Sequence, residues 1–257
     1  MPGVEMSYYT LQTVRHITHW DDKLFSFRCT RDPALHFENG QFVLIGLING
    51  DRPLLRAYSF INADHEPELE FLSIKVPDGA LTSKLQLIQP GDEIVVCKAA
   101  KGSLVLPDLN PGKRLFLLAT GTGLAPFISI LRGGEACARF EQVVLVHGVR
   151  RVSELAYADE LKAFATNPGC HYYPTVTREN FEHRGRIPDL IKSGRLCADL
   201  GLAPLDPSND RVMICGNTDM LKETRTLLES LGFIGSNAKG KPGDFLVENA
   251  FAIQKPR

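Results

Sequence analysis

The chain has 257 residues, 44% of them hydrophobic and 23% charged, a globular composition with room for one large or two ordinary cored domains. Its net charge of -1 argues against a nucleic-acid binder, yet residues 1–100 carry 9 Lys and Arg against 13 Asp and Glu, while the remainder carries 20 against 17. No apolar run is long enough to cross a bilayer, and the opening Met1-Pro2-Gly3-Val4-Glu5-Met6 lacks the basic-then-apolar order of a signal peptide, so the expectation is a cytoplasmic protein without membrane insertion.

The first hundred residues read as short strands with turn punctuation and little helical periodicity: 8–16, 24–28, 42–48, 54–61, 69–75 and 93–98. Asn39-Gly40, Asn49-Gly50-Asp51, Pro77-Asp78-Gly79 and Pro90-Gly91-Asp92 separate them. Such spacing predicts an antiparallel barrel or sandwich, interrupted by one short helix over 81–85. The pattern changes after Pro107-Asp108-Leu109-Asn110-Pro111-Gly112, and a boundary is expected between residues 99 and 110, giving domains 1–100 and 101–257. Strands are predicted over 115–119, 143–147, 171–177, 212–215 and 244–251, with helices over 124–131, 153–164, 187–193 and 219–231. Continuous apolar strands alternating with helices indicate a parallel sheet covered on both faces, an α/β arrangement of Rossmann type. Cys29, Cys97, Cys137, Cys170, Cys197 and Cys215 include no Cys-x-x-Cys pair, which argues against zinc, a disulfide framework or an iron–sulfur cluster. No metal site is expected.

Two phrases carry chemistry. Arg56-Ala57-Tyr58-Ser59 closes a predicted strand and offers a planar guanidinium fork for a diphosphate, a ring for stacking and a hydroxyl. Taken alone, it equally describes a surface arginine beside a half-buried strand tyrosine. Downstream, Ser73 to Ser83 runs from a strand through a turn into a short helix, where N–H groups around Leu81 and Thr82 face the same task. The second phrase, Thr120-Gly121-Thr122-Gly123-Leu124-Ala125-Pro126, follows an apolar strand and opens a helix, where free backbone N–H groups attract phosphate. It departs from Gly-x-Gly-x-x-Gly by placing Pro126 at the third glycine.

Together these residues resemble the bacterial form of the ferredoxin(flavodoxin)–NADP reductase family, over nearly the whole chain. The resemblance implies a six-stranded antiparallel β-barrel for FAD followed by the NADP-binding parallel-sheet domain. It places Arg56, Ala57, Tyr58 and Ser59 on FAD, with Tyr58 stacked on the flavin and Ser59 near its N5 edge. It adds Thr82 and Leu81 at the diphosphate and the backbone of Lys75 and Val76 beside the ring system or ribityl chain. Thr120, Gly121, Thr122 and Gly123 would cradle the NADP diphosphate, with Arg150 a further candidate. Thr177, Arg178 and Arg186 would meet the adenosine 2′-phosphate, so NADPH is expected over NADH. As residues alone, these arginines are also compatible with solvated surface positions.

In Cys215-Gly216 the family likeness puts the thiol beside the nicotinamide as an orienting group, although a lone cysteine is also an ordinary core filler. Glu248 matches the family's active-site carboxylate, and as a half-exposed strand residue it is equally compatible with an inert role. Ala250 stands where plant-type members carry a terminal tyrosine over the flavin; Phe251 is then expected on the FAD adenine, with 252–257 limiting access. The implied activity is hydride transfer between NADPH and FAD with single electrons passed to ferredoxin or flavodoxin, by a monomer, with Ser59, Cys215 and Glu248 aligning the reactants. The alternatives are an NAD(P)H-dependent flavin reductase or an oxygenase-coupled reductase, and a non-catalytic flavin or metal sensor. The missing cluster cysteines count against the fused oxygenase form and the sensor.

Overall fold

The computed structural model describes residues 8–236 and 240–250. Six strands form the first sheet: β1 (Tyr9–His19), β2 (Leu24–Cys29), β3 (Phe42–Asn49), β4 (Arg52–Ser59), β5 (Leu69–Ile74) and β6 (Glu93–Cys97), with α1 (Thr82–Leu85) between the last two. They pair antiparallel in the order β4-β3-β6-β1-β2-β5. The sheet is barrel-like without full closure: its edge strands meet just beyond β4, where Phe60 bridges Phe71. The β3–β4 hairpin turns on Gly50-Asp51 between the paired Asn49 and Arg52, as the turn residues predict.

The second sheet is parallel, built from β7 (Arg114–Thr120), β8 (Gln142–Val149), β9 (Cys170–Val176), β10 (Asp210–Gly216) and β11 (Phe245–Asn249). Its order is β11-β10-β7-β8-β9. The helices are α2 (Ala125–Gly133), α3 (Glu135–Arg139), α4 (Ala158–Phe164), α5 (Ile187–Lys192), α6 (Arg195–Asp199) and α7 (Thr218–Ser230). From β7 the chain adds β8 and β9 on one side, then returns to add β10 and β11 on the other. The strand order therefore reverses between β7 and β10, and the crevice beyond their carboxyl ends is where open α/β sheets bind ligands. No helix among the described residues is long and apolar enough to cross a membrane.

Several elements differ from the sequence expectation. The helix expected over 153–164 begins only at Ala158, after a 3₁₀ turn over Val152–Glu154, because Tyr157 adopts a left-handed φ of 59°. Its side chain explains that backbone: the ring lies 4.5 Å from Trp20 and the hydroxyl donates to Glu70 at 2.8 Å. The short helices α3 and α6 were not expected. Each follows a left-handed glycine, Gly134 and Gly194, which reads as a terminator in sequence but here redirects the chain into another turn of helix.

The two sheets share a core. Leu24, Ile61 and Leu72 of the first half pack in one apolar cluster with Leu104, Phe127 and Ile130 of the second. A polar clasp lies at the same junction: buried Glu70 accepts from Arg132 Nη1 at 2.7 Å and from Tyr157, while Arg132 also forks onto Glu160 at 2.7 and 2.9 Å. Ser129 on α2 donates to the Asn62 carbonyl at 2.8 Å. A carboxylate this deeply buried is tolerated because a charged guanidinium and a neutral hydroxyl are both placed to donate to it.

Candidate functional site

A cleft of about 430 Å³ opens between the sheets, within the range of small-molecule and cofactor sites. Arg56, Ala57, Tyr58 and Ser59 line one wall, and Val76, Leu81 and Thr82 continue it around α1. Thr122 enters from the glycine turn after β7, and Glu248 and Ala250 come from the end of β11. The two phrases singled out in sequence, 61 positions apart at their nearest from Ser59 to Thr120, thus open into one space.

The flavin-side wall is held by its own contacts. Burial holds the Tyr58 phenol above its ordinary pKa, so it stays protonated, and its hydroxyl is 2.9 Å from Ser73 Oγ. The Tyr58 ring meets the edge of Phe71 at 6.3 Å, which fixes its plane. Thr82 Oγ1 donates to the Val76 carbonyl at 3.2 Å, tying α1 to the preceding turn. Arg56 is exposed and its Nη1 donates to the Leu55 carbonyl at 2.7 Å. Lys75 does not line the cleft; its ammonium donates to the Asp21 carbonyl at 3.4 Å and its amide to that of Lys23 at 2.6 Å.

On the other side the chain leaves β7 into a 3₁₀ turn over Gly121–Leu124, and only then into α2. Gly121 has φ 55°, a conformation L side chains rarely adopt, and open space where its side chain would be. A Cβ on Gly123 would sit 2.3 Å from the Cys215 carbonyl oxygen, so this close approach of the turn to β10 requires glycine. Thr120 Oγ1 accepts from the Asn217 amide at 3.2 Å, tying the turn to the loop after Gly216. Cys215 is fully buried, paired across the sheet with Ala119 on one side and Glu248 on the other. Burial, followed by the Glu248 charge, holds its thiol well above the ordinary range, so it packs as a neutral group. Glu248 itself is raised to about 7 by burial, opposed by the Ser103 amide. Below that pH its carboxyl carries a proton at the wall of the cleft. His147, at the end of β8 next to Ala119, is buried and lowered to about 4 by burial, hence neutral near pH 7.

The remaining predicted residues lie at the carboxyl ends of β8 and β9, outside the cleft. Arg178 donates its amide to the Arg150 carbonyl at 2.9 Å, and Thr177 Oγ1 donates to the Val149 carbonyl at 3.2 Å. Arg186 precedes α5 and forms an exposed ion pair with Glu223 of α7 at 2.9 Å. Phe251 and residues 252–257 lie outside the described residues. Sequence reasoning missed Phe42, Leu72, Ser73 and Gly79 in the lining and Ser103 as the partner of Glu248. The Gly79-Ala80 pair before α1 was the available signal, since small residues in a turn allow close backbone approach.

The residues present suit a flat dinucleotide: an apolar slot with a fixed aromatic ring, an exposed guanidinium at its wall and a glycine turn facing it. The family comparison agrees with that chemistry. Residues 9–105 match the model described as the oxidoreductase FAD-binding domain, and residues 117–226 the oxidoreductase NAD-binding domain. The chain is 52% identical over 256 residues to ferredoxin–NADP reductase A of Sorangium cellulosum, covering 96% of this chain and 92% of that protein. The chain belongs to the bacterial ferredoxin–NADP reductase family. Within this family it is also 46% identical over 250 residues to the flavodoxin/ferredoxin–NADP reductase of Rhodobacter capsulatus, covering 93% and 92%. A solved reductase from Neisseria gonorrhoeae, with bound FAD and NADP, superposes with a TM-score of 0.90 at 33% identity, covering 95% of this chain and 99% of that one. The reductase family's cofactors, FAD and NADP(H), are those of this chain.

Proposed function

We propose that this reductase passes electrons between NADPH and a one-electron carrier protein, ferredoxin or flavodoxin, through FAD held in the inter-sheet cleft. The observation that carries the reading is the shared cleft, in which the Tyr58 wall faces Thr122 of the glycine turn. When bound, FAD accepts a hydride and gives up electrons singly, the conversion such a carrier requires. The chain's share is binding, alignment and electrostatics. Residues 1–100 hold FAD: Arg56 and the α1 turn at Leu81 and Thr82 take the diphosphate, Tyr58 covers one ring face, Ser59 borders the N5 edge, and Ala57 and Val76 complete the surround, joined by Ala250 from the second half.

Residues 101–257 hold NADP. Backbone N–H groups of the 120–123 turn and Arg150 hold its diphosphate, while Thr177, Arg178 and Arg186 meet its 2′-phosphate. Buried Cys215, with Gly216, sets the depth to which the nicotinamide enters, and the Glu248 carboxyl holds a proton beside the reacting rings. A hydride brings its own hydrogen and needs no separate proton, so the part left to Glu248 is electrostatic: held neutral below about pH 7, its carboxyl would keep a negative charge away from rings on which negative charge gathers during reduction. The enzyme acts as a cytoplasmic monomer; six unbridged cysteines support a reducing compartment.

Purification followed by an absorption spectrum and nucleotide titration tests this reading. A yellow protein bleached far more readily by NADPH than by NADH, and passing those electrons to ferredoxin or flavodoxin, is expected. A colourless protein, or one that treats the two nucleotides alike, overturns it. Size-exclusion chromatography tests the monomer.

A further inference from the structure

Away from the cleft, two cysteines come into contact. Cys137 on α3 is exposed, and Cys170, the first residue of β9, is buried. Their sulfurs are 3.5 Å apart although 33 positions separate them in sequence. Cys29, Cys97, Cys197 and Cys215 are all buried. Cys137 is therefore the thiol a soluble oxidant meets first, and its neighbour already touches it. A disulfide needs the sulfurs about 2 Å apart, so closure requires small side-chain rotations from this contact, together with whatever adjustment the ends of α3 and β9 allow. Both ends are favourable for that: α3 is a five-residue helix at the surface, and Cys170 follows the Gly169 turn, where φ is 75°.

We propose that Cys137 and Cys170 are a reversible modification site, a dithiol that hydrogen peroxide converts to an intramolecular disulfide. In the first step the Cys137 sulfur attacks one peroxide oxygen; the O–O bond breaks, an S–O bond forms, and the departing oxygen leaves as water with the thiol proton. In the second step the Cys170 sulfur attacks the Cys137 sulfenic sulfur; the S–S bond forms, the S–O bond breaks, and a second water carries away the Cys170 proton. Two thiols lose two electrons, and one peroxide becomes two waters. Burial, with the adjacent Cys137, holds the Cys170 thiol above its ordinary range, so Cys170 serves as the resolving thiol. A small-molecule dithiol reverses the bond by exchange. The pair lies at the end of β9 opposite Thr177, so the site is separate from the nucleotide residues.

The test treats the FAD-loaded full-length protein with equimolar hydrogen peroxide, blocks free thiols, and maps peptides without reduction. The expected result is a Cys137–Cys170 crosslinked peptide in most of the protein, lost on dithiothreitol treatment. Cys170→Ala should instead give Cys137 sulfenic acid trapped by dimedone, and Cys137→Ser should leave Cys170 reduced. Sulfinic or sulfonic acid at Cys137 in the unsubstituted protein, or disulfides only between molecules, overturns the proposal, because a resolving partner in contact would have captured the sulfenic acid. Failure of peroxide to modify either thiol overturns it as well. Flavin absorption measured on each variant confirms that it is folded.

Discussion

The Tyr58 wall and the arginine rim beyond β8 and β9 are both proposed to bind a dinucleotide, yet they are built differently. Tyr58 is held by a hydroxyl contact to Ser73 and an edge contact to Phe71, in a cleft with apolar walls. Arg178 and Arg186 are on the surface, and Arg186 is engaged by Glu223. A preorganised slot loses little entropy on binding and suits a ligand that stays. An exposed charged rim, whose contacts must exchange with water and a competing carboxylate, suits a co-substrate that leaves after every turnover. Resident cofactor and exchanged nucleotide are thus distinguished by burial more than by residue type.

The largest expected effect tests the rim. Replacing Arg178 and Arg186 together with alanine removes two charge-assisted donors, each worth roughly 1.5–3 kcal/mol. Steady-state kinetics should show the NADPH KM rising on the order of 100-fold, with the NADH KM nearly unchanged. A parallel loss for both nucleotides would move these arginines off the 2′-phosphate. On the slot side, Tyr58→Ala should weaken FAD retention by roughly 10-fold, from the 1–3 kcal/mol typical of aromatic–base stacking. Dialysis followed by flavin absorption measures it. If Tyr58→Ala left FAD bound but raised the NADPH KM, the assignment of the two regions would be reversed.

Glu248 sits where slot and turn meet, and its effect is smaller and pH-dependent. Its carboxyl is raised to about 7 by burial, so it is protonated below that pH and charged above. Flavin reduction by NADPH should slow a few-fold as pH rises through 7, and Glu248→Gln should flatten the profile. The stability linkage has the same sign: with the folded pKa above the unfolded value, its contribution is complete below about 4.5 and is lost as pH rises through about 7. Thermal melts across that window should show the glutamine variant losing less stability than the parent.

Much of this was legible in the sequence, because the relevant signals are local. Short strands punctuated by Asn-Gly and Pro-Gly-Asp turns marked the antiparallel sheet, and the apolar run before Gly121 marked the first strand of the parallel one. The cleft-facing order of Arg56, Tyr58 and Thr122 came from motif and resemblance. What escaped depends on contacts between distant segments. Glu70 reads as a solvent-facing charge in Leu-Glu-Phe-Leu-Ser-Ile, and only the approach of Arg132 and Tyr157 makes it a buried clasp. Tyr157 breaks its helix for the same tertiary reason, and Cys137 looks isolated until α3 folds against β9. Propensity contains none of these distances.

The smallest prediction returns to the rim. Arg186 is paired with Glu223 at 2.9 Å, and both side chains are about half exposed, at 49% and 44%. An exposed pair of this kind is worth at most about 1 kcal/mol, but a 2′-phosphate approaching Arg186 must displace the carboxylate and also meets its negative charge. Removing that competitor with Glu223→Gln should therefore lower the NADPH KM by roughly two- to fivefold, the range that corresponds to this energy. NADH, which has no 2′-phosphate, should be unaffected. The direction is informative because a carboxylate that positions Arg186 for the phosphate would give the opposite result, a raised NADPH KM. A gain specific to NADPH would identify Glu223 as a brake on nucleotide affinity, which favours release over retention at the rim while the Tyr58 slot keeps its ligand.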